Sequence, residues 1–202
     1  MFIEYKDSPL PHAVIKNYFN EQELAEVWQE INFLTYKHKL LPPNQIGSAN
    51  VNGILQKQNS GLFLDSIYTN RSISNILTHV KKLWSKNIVN FLKEKHFIFK
   101  YLEISNKDIT LLSYYEDEDH YKWHYDHSVI TCLIHLYKEP LKFDGGELLL
   151  DNEDYKLPME NNRMIIFPSC FNHAVTPIKF NRPVQPFTGY GRYTISQFLT
   201  FD

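Results

Sequence analysis

"YKWHYDHSVITCLIHLY", Tyr121 to Tyr137, joins two kinds of segment end to end. The second part is β-branched, aromatic and free of Pro and Gly, the composition of a strand. The first part holds His124, Asp126 and His127 close together, behind Tyr121 and Trp123. Side chains two apart on a strand share a face. With HYDHSVITCLIHLY (124–137) as one strand, His124 and Asp126 project together, and Tyr125 and His127 point the other way. An imidazole beside a carboxylate supplies two ligands to a divalent metal. A lone HxD often arises by chance, so the reading depends on what the rest of the chain adds.

Outward from this stretch, FIFKYLEI (97–104), ITLLSYY (109–115), ELLLD (147–151), RMIIFP (163–168) and RYTISQFLTF (192–201) also read as strands, short and bounded by turn residues. Upstream the period changes. Asn20 followed by Glu23 predicts an N-cap with a capping box, and Leu24, Val27, Trp28, Ile31 and Leu34 follow at helical spacing. Ile73, Ile76, Leu77, Val80, Trp84, Ile88 and Phe91 predict a second helix over 71–95. Between the helices, residues 35–62 are irregular, with Pro42, Pro43, Gly47, Gly53 and Gly61, as in loops that cover substrates. Helices first and strands after predict an α+β, mainly β fold. The expected form is a double-sheet jelly roll, a double-stranded β-helix, with N-terminal helices packed on one sheet. The expected organisation is a single domain over 1–202, with helical cover and substrate loops in 1–96 and the jelly-roll core in 97–202.

Composition narrows the function. Lys+Arg is 21 and Asp+Glu 23, a formal charge of −2, which offers no electrostatic grip on nucleic acid. Cys132 and Cys170 form no CxxC pair and read as two buried free thiols. No apolar run approaches the roughly 20 residues of a membrane helix, and the first residues do not read as a signal peptide. A reducing cytoplasm is the expected setting.

A third metal ligand is available in His173, within FPSCFNHAVTPI, after the 163–168 strand and the Pro168-Ser169 turn. Two histidines and one carboxylate with open positions suit mononuclear non-haem Fe(II) oxygenases, whereas zinc usually takes a closed tetrahedral site with more His or Cys.

The series LLSYY, YKWHYDHS, VITCLIHLY, FDGGELLL, RMIIFPSCFNHAVTPI and RYTISQFLTF, in that order, resembles the 2-oxoglutarate- and Fe(II)-dependent dioxygenases of the prolyl 4-hydroxylase type over about residues 97–202. The resemblance implies Fe(II) held by His124, Asp126 and His173, and 2-oxoglutarate as cosubstrate. Arg192 matches the basic residue that pairs with its far carboxylate. A guanidinium fork suits that task, and Thr194 and Ser196 share its strand face, while Tyr193, Ile195, Leu199 and Phe201 share the apolar one. Tyr115 matches a tyrosine that donates to the cosubstrate, and Tyr121 and Trp123 fall near the substrate entrance. Gly145 and Gly146 match a GGEL turn. Arg182 lies at the more usual distance from the second histidine, but Pro183 disfavours a central strand there. Glu116 to Asp119 replace the usual Pro-Gly turn. They read either as a solvated acidic turn or as an attraction for a basic substrate.

By resemblance the reaction is hydroxylation of an unactivated C–H bond with decarboxylation of 2-oxoglutarate to succinate, with dioxygen as partner and ascorbate as a helper. A prolyl residue of a protein or peptide leads as substrate, ahead of a free amino acid or other small molecule. A metal-dependent hydrolase, a dioxygenase without a cosubstrate and a silent jelly-roll binding module stay open.

Overall fold

The computed structural model describes residues 2–47, 50–51 and 54–201; Gly53 lies outside the described residues. In chain order the strands are β1 (Phe2–Lys6), β2 (His12–Lys16), β3 (Asn50–Val51), β4 (Ile54–Leu55), β5 (Ser60–Phe63), β6 (Lys107–Tyr115), β7 (Tyr121–His124) and β8 (Ile130–Leu136). They continue as β9 (Phe143–Gly145), β10 (Leu148–Leu150), β11 (Lys156–Leu157), β12 (Arg163–Pro168), β13 (His173–Val175), β14 (Ile178–Phe180) and β15 (Arg192–Thr200). A 7-stranded sheet has the order β1-β2-β12-β8-β15-β6-β5 and faces a 4-stranded sheet of order β11-β10-β13-β7. The paired strands are antiparallel, an arrangement consistent with a jelly roll.

Period-2 alternation makes two cores from one sheet. On β8, Cys132, Ile134 and Leu136 turn outward and Thr131, Leu133 and His135 turn toward the small sheet; all six are buried. On β15, Tyr193, Ile195 and Leu199 go with the first set. Those outward residues share a core with Val27, Ile31 and Leu34 of α1 (Glu21–Tyr36) and with Leu83, Ile88 and Leu92. The other core lies between the sheets and contains Tyr115, Leu133, Leu148, Leu150, Ile165, Phe167 and Val175. α1 starts as the sequence requires. Asn20 Oδ1 accepts the Glu23 N–H at 2.9 Å, and Glu23 Oε2 accepts the Asn20 N–H at 2.8 Å.

Several segments differ from the sequence expectation. Residues 97–104 are not a strand: Phe97–Lys100 is a 3-10 helix running into a short helix, Tyr101–Ile104. His96 Nδ1 caps its start through the Ile98 N–H, and Phe99 and Leu102, three apart, fill the core while Phe97 and Ile104 stay exposed. The 71–95 helix is broken into the 3-10 turn Arg71–Ile73, Asn75–His79, the 3-10 turn Val80–Trp84 and Lys86–Lys95; Ser74 caps the second piece by accepting the Leu77 N–H, and Ser85 is extended between the last two. The 124–137 strand is two, β7 and β8, separated by 125–129. The first half also adds β1, β2 and β5 to the large sheet, so residue 96 does not divide cover from core. Cys170 is exposed, and only Cys132 is buried. Phe201 is also exposed, against the Tyr101 ring. Among the described residues no helix is long and apolar enough to cross a membrane.

Candidate metal and cosubstrate site

β7 and β13 pair with His124 opposite His173 and Tyr121 opposite Val175. Lys122 and Trp123 on β7 thus stand against Ala174 alone on β13, which is a bulge. The extra residue brings Tyr121 and His124 to the same face, their rings stacked at 3.5 Å between centroids. Trp123 turns to the opposite side. It lines a shallow groove with Leu149 and Ala174 and does not border the cavity that holds the ligands. Asp126 follows in the loop rather than on a strand, where its own N–H donates to Ser169 O at 3.0 Å. His124, Asp126 and His173 nonetheless converge, with one ligand atom of each lying within 4.8 Å of the others. Asp126 Oδ1 is 3.8 Å from His124 Nε2, and Oδ2 is 3.4 Å from His173 Nε2. With their donor atoms this close, the three residues would hold one divalent metal between them. His127 sits on the rim of the outer cavity, beside Tyr125.

The surroundings fix each ligand. His124 Nδ1 lies 2.7 Å from Lys122 O, and His173 Nδ1 lies 3.1 Å from Phe171 O. Each ring can donate Nδ1–H to a carbonyl and aim the Nε2 lone pair at the metal position. Thr131 Oγ1 donates to Asp126 Oδ2 at 2.6 Å and is itself linked to Ser169 and, through it, to Ser128. Burial, reinforced by the charge of His173, lowers the His124 pKa to about 4, so the ring is neutral and able to bind metal. Burial would raise Asp126, but bonding to His173 and Thr131 outweighs it and holds the carboxyl below its ordinary range. Two imidazoles and one carboxylate on one face form the donor set of the Fe(II) facial triad.

The same cavity continues to Arg192, Thr194 and Ser196 on β15 and Tyr115 on β6. Arg192 is fully buried opposite Tyr115 in the ladder, with its guanidinium carbon 4.7 Å from that ring's centroid. Its Nη2 reaches His135 Nε2 at 3.1 Å. Burial, with the repulsion of Arg192, pushes His135 well below its ordinary pKa, so its neutral ring can accept that hydrogen bond. Arg192 Nε and Nη1 and Thr194 Oγ1 are buried without a hydrogen-bond partner among the described residues. A cation and a hydroxyl left bare in one cavity, next to a three-ligand cluster, fit the far carboxylate of a dicarboxylate such as 2-oxoglutarate. Gly146 has φ +74°, and a Cβ there would lie 2.9 Å from Arg192 Cδ, so the GGEL turn must lack a side chain to let the arginine pass. Glu147 is tied to Thr176. Arg182 is exposed.

The acidic turn is solvated at Asp117 and Glu118, as one of its two readings expected, and its carboxylates also accept backbone N–H groups. Asp117 Oδ1 accepts the Phe180 N–H, Glu116 Oε1 the Phe187 N–H, and Asp119 Oδ2 the Glu116 N–H. Two of its carboxylates pin the 178–191 segment beside Arg192 rather than facing a substrate. Sequence reasoning missed three further residues. Thr131 and His135 looked like ordinary members of an apolar strand, yet on one inward row they brace Asp126 and Arg192. Lys57 sits in the stretch read as irregular. It bridges to Tyr121 and borders both the ligand cavity and the larger cavity outside it.

Residues 109–200 match the family described as the 2OG-Fe(II) oxygenase superfamily. None of the curated proteins matches the sequence. Among solved structures, a Pseudomonas putida prolyl-4-hydroxylase superposes with a TM-score of 0.64 at 12% identity, over 95% of this chain and 92% of its own. A Trichoplax adhaerens prolyl hydroxylase, solved with a hypoxia inducible factor oxygen degradation domain peptide fragment, gives 0.62 at 17% identity over 94% and 83%. The viral collagen prolyl hydroxylase of Paramecium Bursaria Chlorella virus-1, in a 2OG complex, gives 0.54 at 14% over 93% and 94%. At these identities the likeness is one of fold. By the matched segment, which contains the three ligand positions and Arg192, and by this fold, the chain resembles the 2-oxoglutarate- and Fe(II)-dependent dioxygenases of the prolyl 4-hydroxylase type.

Proposed function

We propose that the protein is an Fe(II)- and 2-oxoglutarate-dependent dioxygenase that hydroxylates an unactivated C–H bond, converting 2-oxoglutarate and dioxygen to succinate and carbon dioxide. One observation carries the reading. The His124–Asp126–His173 cluster and the bare donors of Arg192 and Thr194 open into one cavity.

The geometry supports the following roles. His124, Asp126 and His173 would hold the metal, which when bound activates dioxygen at its open positions. Arg192 would grip the far carboxylate, with Thr194 and Ser196 on the same face and Tyr115 beneath the guanidinium. His135 would keep the guanidinium from swinging. Tyr121, stacked on His124, would wall the entrance and help exclude water. A prolyl residue in a peptide is the substrate we favour, by analogy with the prolyl hydroxylases that share the fold; a free amino acid is the main alternative.

The test is succinate release with Fe(II) and 2-oxoglutarate, with and without prolyl peptides, read together with mass spectrometry for a gain of one oxygen. Asp126→Ala should abolish iron-dependent turnover while the protein still folds. A wild-type protein that binds neither metal nor 2-oxoglutarate would leave the silent module as the better reading.

A further inference from the structure

Outside the ligand cluster lies a cavity of about 430 Å³. Phe63, Ile109, Leu111 and Phe198 form its apolar wall, and His124 and Asp126 border its inner end. The cavity gives a ligand room beside His124 and Asp126. Among the described residues that line it, Lys57 is the one lysine or arginine, and Asp126, a metal ligand, is the one carboxylate.

Lys57 is placed by backbone pairing. The Gln58 N–H donates to His120 O at 3.0 Å and the Lys122 N–H to Gln56 O at 2.9 Å, which fixes residues 56–58 along β7. The side chain is 4% exposed. Its ammonium donates to Ile46 O at 3.1 Å and lies 5.7 Å from the centroid of the Tyr121 ring. No carboxylate forms an ion pair with it among the described residues. An ammonium has three N–H donors, and one carbonyl and one ring face do not satisfy them. Burial lowers its pKa to about 8, partly offset by Asp126, so most of the charge persists at neutral pH. A metal on Asp126 would draw away that remaining compensation. A desolvated cation of this kind is stabilised most by an anion that brings hydrogen-bond acceptors with it.

We propose that Lys57 anchors a carboxylate of the substrate, so that the site takes an apolar, C–H-bearing body carrying a carboxylate beside the carbon to be oxidised. This rests on the proposed dioxygenase reading. It replaces the expectation of a basic substrate, since two carboxylates of the 116–119 turn are bonded to backbone N–H groups of the 178–191 segment and none of the turn lines this cavity. The carboxylate has two sources, the α-carboxylate of a free amino acid or an acidic side chain next to the target residue of a peptide.

The experiment uses the full chain loaded with Zn(II), a diamagnetic stand-in, and saturating 2-oxoglutarate. Cosubstrate binding is titrated first by calorimetry. Failure at that step counts against the dioxygenase reading and is scored apart from the substrate probes. Binding of 3-methylbutanoate, 3-methylbutanamide and 3-methylbutylamine is then compared by saturation-transfer NMR. The acid should bind about tenfold or more tightly than the amide, the gain of one charge-assisted contact, and the amine more weakly still. Lys57→Met should erase the preference and Lys57→Arg should keep it. If Lys57→Met does not fold, the three probes on the wild type still decide. Amine or amide binding equal to acid, or no binding of the acid at millimolar concentration, overturns the proposal. Free L-proline against a blocked peptide with proline next to glutamate then separates the two sources. Equal binding of the matching glutamine peptide, with no uptake of L-proline, would also overturn it.

Discussion

Arg192→Met separates binding from stability more cleanly than any other change in this molecule. Methionine keeps much of the aliphatic stem that packs on Gly146 and Tyr115 but removes the charge. In the wild type the guanidinium is fully buried and bonded to His135, and Nε and Nη1 have no hydrogen-bond partner among the described residues. Such a cation burdens the protein until a carboxylate arrives. Its replacement by an apolar side chain should therefore leave the ligand-free protein as stable or more stable, by up to about 4 kcal/mol. Cosubstrate binding should move the other way. Loss of a bidentate, charge-assisted contact costs about 3–5 kcal/mol, or roughly 10²–10⁴ in Kd at about 1.4 kcal/mol per tenfold. At a ligand concentration of about 100 times Kd, 2-oxoglutarate should stabilise the wild type by about 2.7 kcal/mol, worth roughly 5–10 °C of melting temperature at this size, and should leave Arg192→Met unmoved. Thermal melts with and without 2-oxoglutarate, on Zn(II)-loaded protein, read both effects together. Retention of 2-oxoglutarate affinity within about threefold, or the same loss from Arg182→Met, would refute the assignment. Collapse of the fold in Arg192→Met would show that the charge is structural.

Three further outcomes rest on the same geometry. His135→Phe frees Arg192 Nη2, so the KM for 2-oxoglutarate should rise about tenfold with kcat little changed, for the loss of one hydrogen bond to a charged group. Thr131→Val removes the hydroxyl that donates to Asp126, and metal affinity measured by competition with a chelator should fall about 10–100-fold. Burial, with the neighbouring Glu116 and Asp117, raises the Asp119 pKa to about 7 even though its bond to the Glu116 N–H opposes this. The folded chain then holds a proton that the unfolded chain releases near pH 4, so stability falls as pH rises from about 4 to about 7. Urea unfolding should show Asp119→Asn gaining on the wild type across that window, and parallel curves would contradict it.

How much of this was legible depends on which periodicity governs each segment. β15 and the second half of the 121–137 stretch are long, regular and central, so counting by twos places Arg192, Thr194 and Ser196 on one face and Tyr193, Ile195 and Leu199 on the other, as the fold has them. His124, Asp126 and His173 converge for a different reason from the one parity gave. Asp126 is on a loop held by Ser169 and Thr131, and the bulge at β7 lets Tyr121 and His124 share a face three residues apart. No local composition announces a bulge, and it is this feature that sends Trp123 to the outside. The short elements were least readable. Phe97 to Ile104 has strand residues in a helical turn because packing of Phe99 and Leu102 overrides propensity. His135 and Lys57 escaped notice because their significance is relational: a histidine in an apolar strand and a lysine in an irregular loop mean little until the fold puts one against Arg192 and the other in the cavity wall. Both are costly to bury. Leucine at the inner position of β8 and an apolar side chain opposite Tyr121 would avoid that cost. That the chain desolvates both, one behind Arg192 and one in front of His124 and Asp126, is why, on the proposed reading, the two ends of the cavity should respond to different ligands: His135→Phe through 2-oxoglutarate, and Lys57→Met through the substrate carboxylate alone.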